Sequence, residues 1–207
     1  MATIDALGVI NFGRTAGEQR FTYLVDQLIY AQGWVGGIPL AMIHTNLRSN
    51  IADGGVDTKV DVAVLGDTTG WLGMPTVWQY KATGYAGTTE ADLRHELLAN
   101  SKEYIRECLR NGFAYRFCIC DDMPVREQEQ WAQWLTTCVR EINPAAPPAI
   151  VITADHLAIW ANRFPPLVAI FAGGGSMNWH STSSPGARAP ATRRRIIFRS
   201  PNGTPFE

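Results

Sequence analysis

The chain has 207 residues, an apolar fraction of 46% and seven tryptophans, which suits one domain with a packed core. Charge is unevenly spread: residues 1–172 carry 13 Lys or Arg against 18 Asp or Glu, a balance of −5, while residues 173–207 carry five arginines against one glutamate, a balance of +4. The acidic body argues against a pure duplex-binding module, which shows a basic face, and no run of roughly 18 uncharged apolar residues offers a membrane span.

The opening residues, Met1-Ala-Thr-Ile-Asp-Ala-Leu7, lack the basic start and continuous apolar stretch of a secretory signal. The four cysteines, Cys108, Cys118, Cys120 and Cys138, have neither CxxC spacing nor histidines placed for zinc. Reduced, mostly buried thiols in a cytoplasmic protein are expected.

In chain order, Phe21, Leu24, Val25, Leu28 and Ile29 recur at helical spacing and predict a first helix from about Thr15 to Gln32, stopped by Gly33. Ile38 to Ile43 reads as a short strand. Val60 to Leu65 and Thr76 to Ala82 read as two more, joined through the turn residues Gly66-Asp-Thr-Thr-Gly70 into an antiparallel hairpin. Thr89 with Asp92 approximates a capping box, and the series Leu93, Leu97, Ile105, Leu109 predicts one helix closed by Asn111-Gly112. Ala114 to Cys120 is a β-branched and aromatic strand. Pro124 opens a third helix through about Ile142, with Trp131, Trp134, Leu135 and Val139 on its apolar side. Ala149 to Ile152 is a fifth strand, and Ala154 to Asn162 a fourth helix that Pro165 ends. The order α-β-β-β-α-β-α-β-α predicts an α/β fold, a mixed sheet flanked by helices. Residues 173–207, rich in Gly, Ser, Pro and Arg, read as a linker or disordered tail following a domain over 1–172.

The chemistry-bearing text is Gly54-Gly-Val-Asp57-Thr-Lys-Val-Asp61, followed a hairpin later by Val77-Trp-Gln79-Tyr-Lys81. Alternation along a strand puts Gln79 and Lys81 on one face, with Trp78 and Tyr80 on the other. Asp61 is a polar residue in an apolar strand and requires a partner if buried; a hairpin of suitable register brings it beside Gln79 and Lys81. Such a trio has the equipment for phosphodiester hydrolysis. Asp61 offers a carboxylate oxygen, Gln79 a carbonyl oxygen and the Tyr80 backbone a further carbonyl for magnesium or manganese. Lys81 serves the attacking water and the developing negative charge. Asp57, like Asp53, reads as a turn residue beside glycines. The four histidines lack ligand spacing. Lys102 and Arg106 are candidate phosphate contacts, and Arg193-Arg-Arg195 reads as a solvated run.

Asp, a hairpin and then Gln-x-Lys resembles the PD-(D/E)xK restriction-endonuclease-like nuclease superfamily, and within it the Mrr-like enzymes with Gln at the middle position. The α-β-β-β-α-β order over about residues 15–120 is similar to that superfamily's core. The Gly-Gly-x-Asp run, the Gln-Tyr-Lys-Ala82 text, Tyr115 to Ile119 and Asp155 to Asn162 also resemble nuclease domains at the N-termini of bacterial antiviral STAND-class NTPases. The resemblance implies a magnesium-dependent endodeoxyribonuclease with Asp61, Gln79 and Lys81 in its site and Glu18 as the first-helix acid, one turn earlier than expected. It also implies a DNA substrate, self-association, an effector role in antiphage defence and a partner NTPase or sensor. The alternatives are a catalytically silent domain of the same fold, for DNA binding or self-association, and a protein–protein interaction domain.

Overall fold

The computed structural model describes residues 3–15, 18–46, 54–83 and 87–172, all within one compact unit, Met1–Gly174. The expected tail, 173–207, lies outside the described residues, as does Asp53. The sheet has five strands in the order β1-β2-β3-β4-β5: β1 Ile43–Thr45, β2 Thr58–Val60, β3 Thr76–Lys81, β4 Ala114–Ile119 and β5 Ile150–Ile152. The β1–β2 and β2–β3 pairs are antiparallel, and β3–β4 and β4–β5 are parallel. The architecture is therefore α/β with a mixed open sheet flanked by helices.

Strand alternation builds two cores, one on each face of the sheet. Trp78, Tyr80, Cys118 and Cys120 meet α1 (Ala6–Thr15), α2 (Glu18–Val35), α6 (Ala154–Ala161) and α7 (Pro165–Ala172). Val77, Tyr115, Phe117 and Ile119 meet α3 (Glu90–Leu98), α4 (Glu103–Arg110) and α5 (Val125–Ile142) on the other face. The second face carries both crossovers between parallel strands, as same-handed connections in one direction demand. Phe21, Leu24, Val25, Leu28 and Ile29 are fully buried, so the helical spacing read in α2 is its core-facing stripe. All four cysteines are buried free thiols. No helix among the described residues is long and apolar enough to cross a membrane.

Five elements differ from expectation, each for a local reason. The first strand is Ile43–Thr45 rather than Ile38–Ile43, because Pro39 leads into a 3₁₀ turn over Leu40–Met42. Helix α1 is additional: the Asp5 carboxylate accepts the Gly8 N–H at 2.8 Å and caps a segment whose two glycines, Gly8 and Gly13, weaken the helical signal. The helix expected from Thr89 to Asn111 is broken. Ala99 adopts an extended conformation (φ −58°, ψ 149°), and a turn over Asn100–Lys102 precedes α4. Pro165 begins α7 rather than terminating the fourth helix, which ends at Ala161, since proline at a first helical position loses no hydrogen bond. Most consequentially, β2 spans Thr58–Val60 instead of Val60–Leu65. The segment after Val60 leaves the sheet. Val64 and Leu72 join by a backbone hydrogen bond of 2.8 Å and are buried, and the Asp67 carboxylate accepts from the Thr69 and Leu72 N–H groups. The antiparallel pairing expected of β2 and β3 is present, but a wide loop over residues 61–75 connects them. Arg116 fastens it by donating from Nε to the Trp71 carbonyl at 2.8 Å, and burial of that guanidinium lowers its pKa to about 10.

Candidate active site

Gln79 and Lys81 share the α3 face of β3, as alternation requires. Gln79 is 2% exposed, so its amide must be fully bonded. Nε2 donates to Glu96 Oε2 at 2.8 Å, and Oε1 accepts from the Tyr115 hydroxyl at 2.7 Å. The orientation is dictated by chemistry: a carboxylate only accepts, so it must face the NH2 end. Lys81 Nζ lies 2.7 Å from the other Glu96 oxygen, and Lys102 Nζ lies 3.8 Å from Oε2. Glu96 therefore sits between two lysines and a buried amide. Burial first, and then the charges of Glu96 and Asp57, push the Tyr115 phenol well above its ordinary pKa and keep it a donor.

Asp57 lies one step beyond the Thr58–Trp78 pair, the register position opposite Gln79. Its N–H donates to the Trp78 carbonyl at 2.9 Å, and its Oδ2 accepts the Tyr80 N–H at 2.6 Å. In an extended strand a residue's N–H and C=O point to the same side. The Tyr80 carbonyl therefore points to the Asp57 side, whereas the Lys81 carbonyl accepts from Cys120 on the β4 side. Gly54 and Gly55 make this placement possible. Both have positive φ (65° and 92°), and an added Cβ would lie 2.5 Å from Tyr104 Cβ at Gly54 and 2.6 Å from Lys102 Cδ at Gly55. Only glycine allows the backbone before Asp57 to press against the start of α4, where the Ile105 N–H donates to the Gly54 carbonyl at 3.2 Å.

Asp61 is not part of this group, which corrects its assignment beside Gln79 and Lys81. It shares the strand phase of Asp57 but lies four residues further along, roughly 13 Å at 3.3 Å per residue. There it forms its own cluster, with Lys59 Nζ at 2.8 Å and His44 Nε2 at 2.7 Å. Burial raises its pKa, but hydrogen bonds from Lys59 and His44 outweigh that and hold the carboxyl below its ordinary range. The cause of the displacement is the register: the early end of β2 leaves Asp57, not Asp61, opposite Gln79. Glu18 opens α2, and its side chain lies outside the described residues. The α2 acid that does meet the sheet is Asp26, on the opposite face. It is fully buried, its Oδ1 accepts from the Thr58 hydroxyl at 2.7 Å and the Tyr80 hydroxyl at 2.9 Å, and its Oδ2 has no hydrogen-bond partner. Burial raises its pKa to about 6 against the opposing hydrogen bonds.

For a metal ion the donor set is mixed. Among the described residues no three His, Cys, Asp or Glu side chains form a cage. Magnesium needs only one or two carboxylates, keeping water and substrate oxygens in its remaining positions. Asp57, Glu96 and the Tyr80 carbonyl are hard oxygen donors of the fitting kind. Gln79 is not placed as expected: its carbonyl faces Tyr115, and it positions Glu96 instead. Glu96 and Tyr115 join the site without having been expected there, although the sequence carries a signal for each. Glu96 lies beside Leu97 and three residues after Leu93, flanking the inward stripe of α3, and Tyr115 alternates with the inward-facing Phe117 and Ile119. No protein-family model, curated protein or solved structure gives a significant match to this chain.

Proposed function

We propose that this chain is a metal-dependent endonuclease that hydrolyses DNA phosphodiester bonds on a restriction-endonuclease-like core. The observation carrying this reading is the contact of the Asp57 carboxylate with the Tyr80 N–H, immediately before a lysine whose ammonium is held by Glu96. Asp57, Glu96 and the Tyr80 carbonyl would hold magnesium or manganese, which when bound neutralises phosphate charge and makes a coordinated water more acidic. Lys81 holds the attacking water by hydrogen bonding and offsets negative charge as it develops on the phosphate. Gln79 and Tyr115 fix the Glu96 side chain and keep water from its buried side. Lys102, the second lysine of the cluster, contacts a neighbouring phosphate oxygen. The core is acidic overall, so these local cations bear most of the attraction to DNA. An effector role in antiphage defence, triggered by self-association or a partner NTPase, extends the reading from the family resemblance.

The test is incubation of the protein with supercoiled plasmid and, separately, with single-stranded RNA, in magnesium, in manganese and in EDTA. Nicked or linear DNA is expected with metal only, and none with Lys81→Ala. Cleavage that survives EDTA, or equal cleavage by Lys81→Ala, contradicts the proposal. DNA binding without any cleavage under all three conditions identifies the silent-domain alternative instead.

A further inference from the structure

Asp57 also lines a cavity of about 480 Å³, together with His44, Gly54, Val56, Lys59 and Tyr104. That volume falls within the range of roughly 300–1,000 Å³ usual for small-molecule sites. Val56, 6% exposed, and Gly54 supply apolar surface, Tyr104 stands at the wall, and Thr45 and Lys59 add polar groups. Tyr104 is 43% exposed although the root of its side chain is pinned against Gly54, where an added Cβ would approach Tyr104 Cβ to 2.5 Å. A half-exposed aromatic side chain lining a cavity, with its Cβ packed against Gly54, is a candidate stacking platform.

The charge around the cavity selects what enters. Lys59 lies 2.8 Å from Asp61 and 5.3 Å from the centroid of the Phe113 ring, so its charge is largely offset. Asp57 adds a carboxylate. Both basic side chains in the lining, Lys59 and His44, are bonded to Asp61, so a flat neutral group with hydrogen-bonding edges fits better than a second phosphate. We infer that this cavity is a nucleobase subsite: the base of the nucleotide next to the scissile phosphate leaves its stack and lies on Tyr104. The inference rests on the nuclease reading for its substrate class and on the cavity for its geometry. It also gives Asp61 work, as the group that holds the Lys59 and His44 side chains in the lining.

The experiment uses full-length Lys81→Ala protein, with and without a second change at Tyr104. The probe is a short single-stranded DNA carrying one pyrrolocytosine, read by fluorescence, beside the same strand with an abasic residue at that position. The expected result is that Tyr104→Ala weakens binding of the intact strand roughly 5- to 30-fold, the usual scale of one base–aromatic stack, whereas Tyr104→Phe keeps it. The abasic strand binds equally weakly whether Tyr104 is kept or replaced by alanine, since the two losses are one interaction. Equal binding of the intact strand by both proteins, or the same Tyr104→Ala loss on the abasic strand, overturns the subsite. Plasmid cleavage separates the two readings. A Tyr104→Ala protein that cuts and binds as well as the parent removes the subsite and leaves the nuclease standing. A parent protein that never cuts, yet shows the Tyr104-dependent loss on the intact strand alone, removes the nuclease and leaves the subsite.

Discussion

The Tyr80 N–H donates to the Asp57 carboxylate at 2.6 Å, in the place where a backbone carbonyl of β2 would continue the ladder with β3. A side chain thus completes the strand pairing, and the carboxylate is fixed by the same backbone that carries Gln79 and Lys81. The other end of Tyr80 is fixed as well, by Asp26 from beneath the sheet. The main chain and core thus set the backbone position of Asp57 relative to β3, while Glu96 holds the Lys81 ammonium.

Glu96→Gln tests the role given to the α3 acid. It removes the charge between Lys81 and Lys102 and leaves the amide of Gln79 facing an amide. Cleavage is expected to fall by roughly 10²-fold, the scale of a misplaced catalytic group. Thermal stability should change little, because partly exposed ion pairs contribute about 0–1 kcal/mol. Parallel assays of plasmid nicking and thermal melting check this, and unchanged nicking removes Glu96 from the site.

Asp26 makes a pH signature. Its folded pKa of about 6 lies above the ordinary 3.8, so the folded state binds the proton more tightly than the unfolded one. Its contribution is fully present below the unfolded pKa and is lost as pH rises through about 6, an effect of about 3 kcal/mol at 1.36 kcal/mol per unit. Asp26→Asn keeps an acceptor for Thr58 and Tyr80 and cannot ionise. The stability difference between variant and parent, from urea denaturation, should move in the variant's favour by about that amount between about pH 4 and pH 7. A difference that stays flat with pH contradicts the burial of an ionising carboxyl.

Gly54→Ala and Gly70→Ala separate backbone strain from packing. Both glycines have positive φ, 65° and 74°, but an added Cβ meets Tyr104 Cβ at 2.5 Å in the first and nothing within 4 Å in the second. Gly70→Ala is expected to lower stability by about 1–2 kcal/mol. Gly54→Ala should lower it further, because Tyr104 and the backbone of α4 must shift. Equal losses by denaturant titration indicate that the start of α4 yields freely.

Much of the fold is legible in the chain because local signals agree with tertiary packing. The apolar stripe of α2, the capping box at Thr89 and Asp92, and Pro124 before α5 each appear where the residues place them. The face of Gln79 and Lys81 follows from alternation alone. The register does not, because it depends on where β2 ends. That end is decided by Val64 and Leu72 entering the core, and by Asp67 satisfying the loop's own N–H groups. These contacts reach across the loop to Leu72, and without them Val60 to Leu65 reads as a continuous strand. Asp57 next to two glycines carries the ordinary marks of a turn, and only the approach of Tyr104 and Lys102 shows why glycine is needed there.

The most direct test of the central claim compares Asp57→Asn with Asp61→Asn in metal-dependent plasmid cleavage, with circular dichroism confirming that both fold. Asp57→Asn is expected to abolish cleavage, while Asp61→Asn retains it within about tenfold, the scale of losing one charged partner of Lys59 and His44. Loss of cleavage in Asp61→Asn with full activity in Asp57→Asn would contradict that claim.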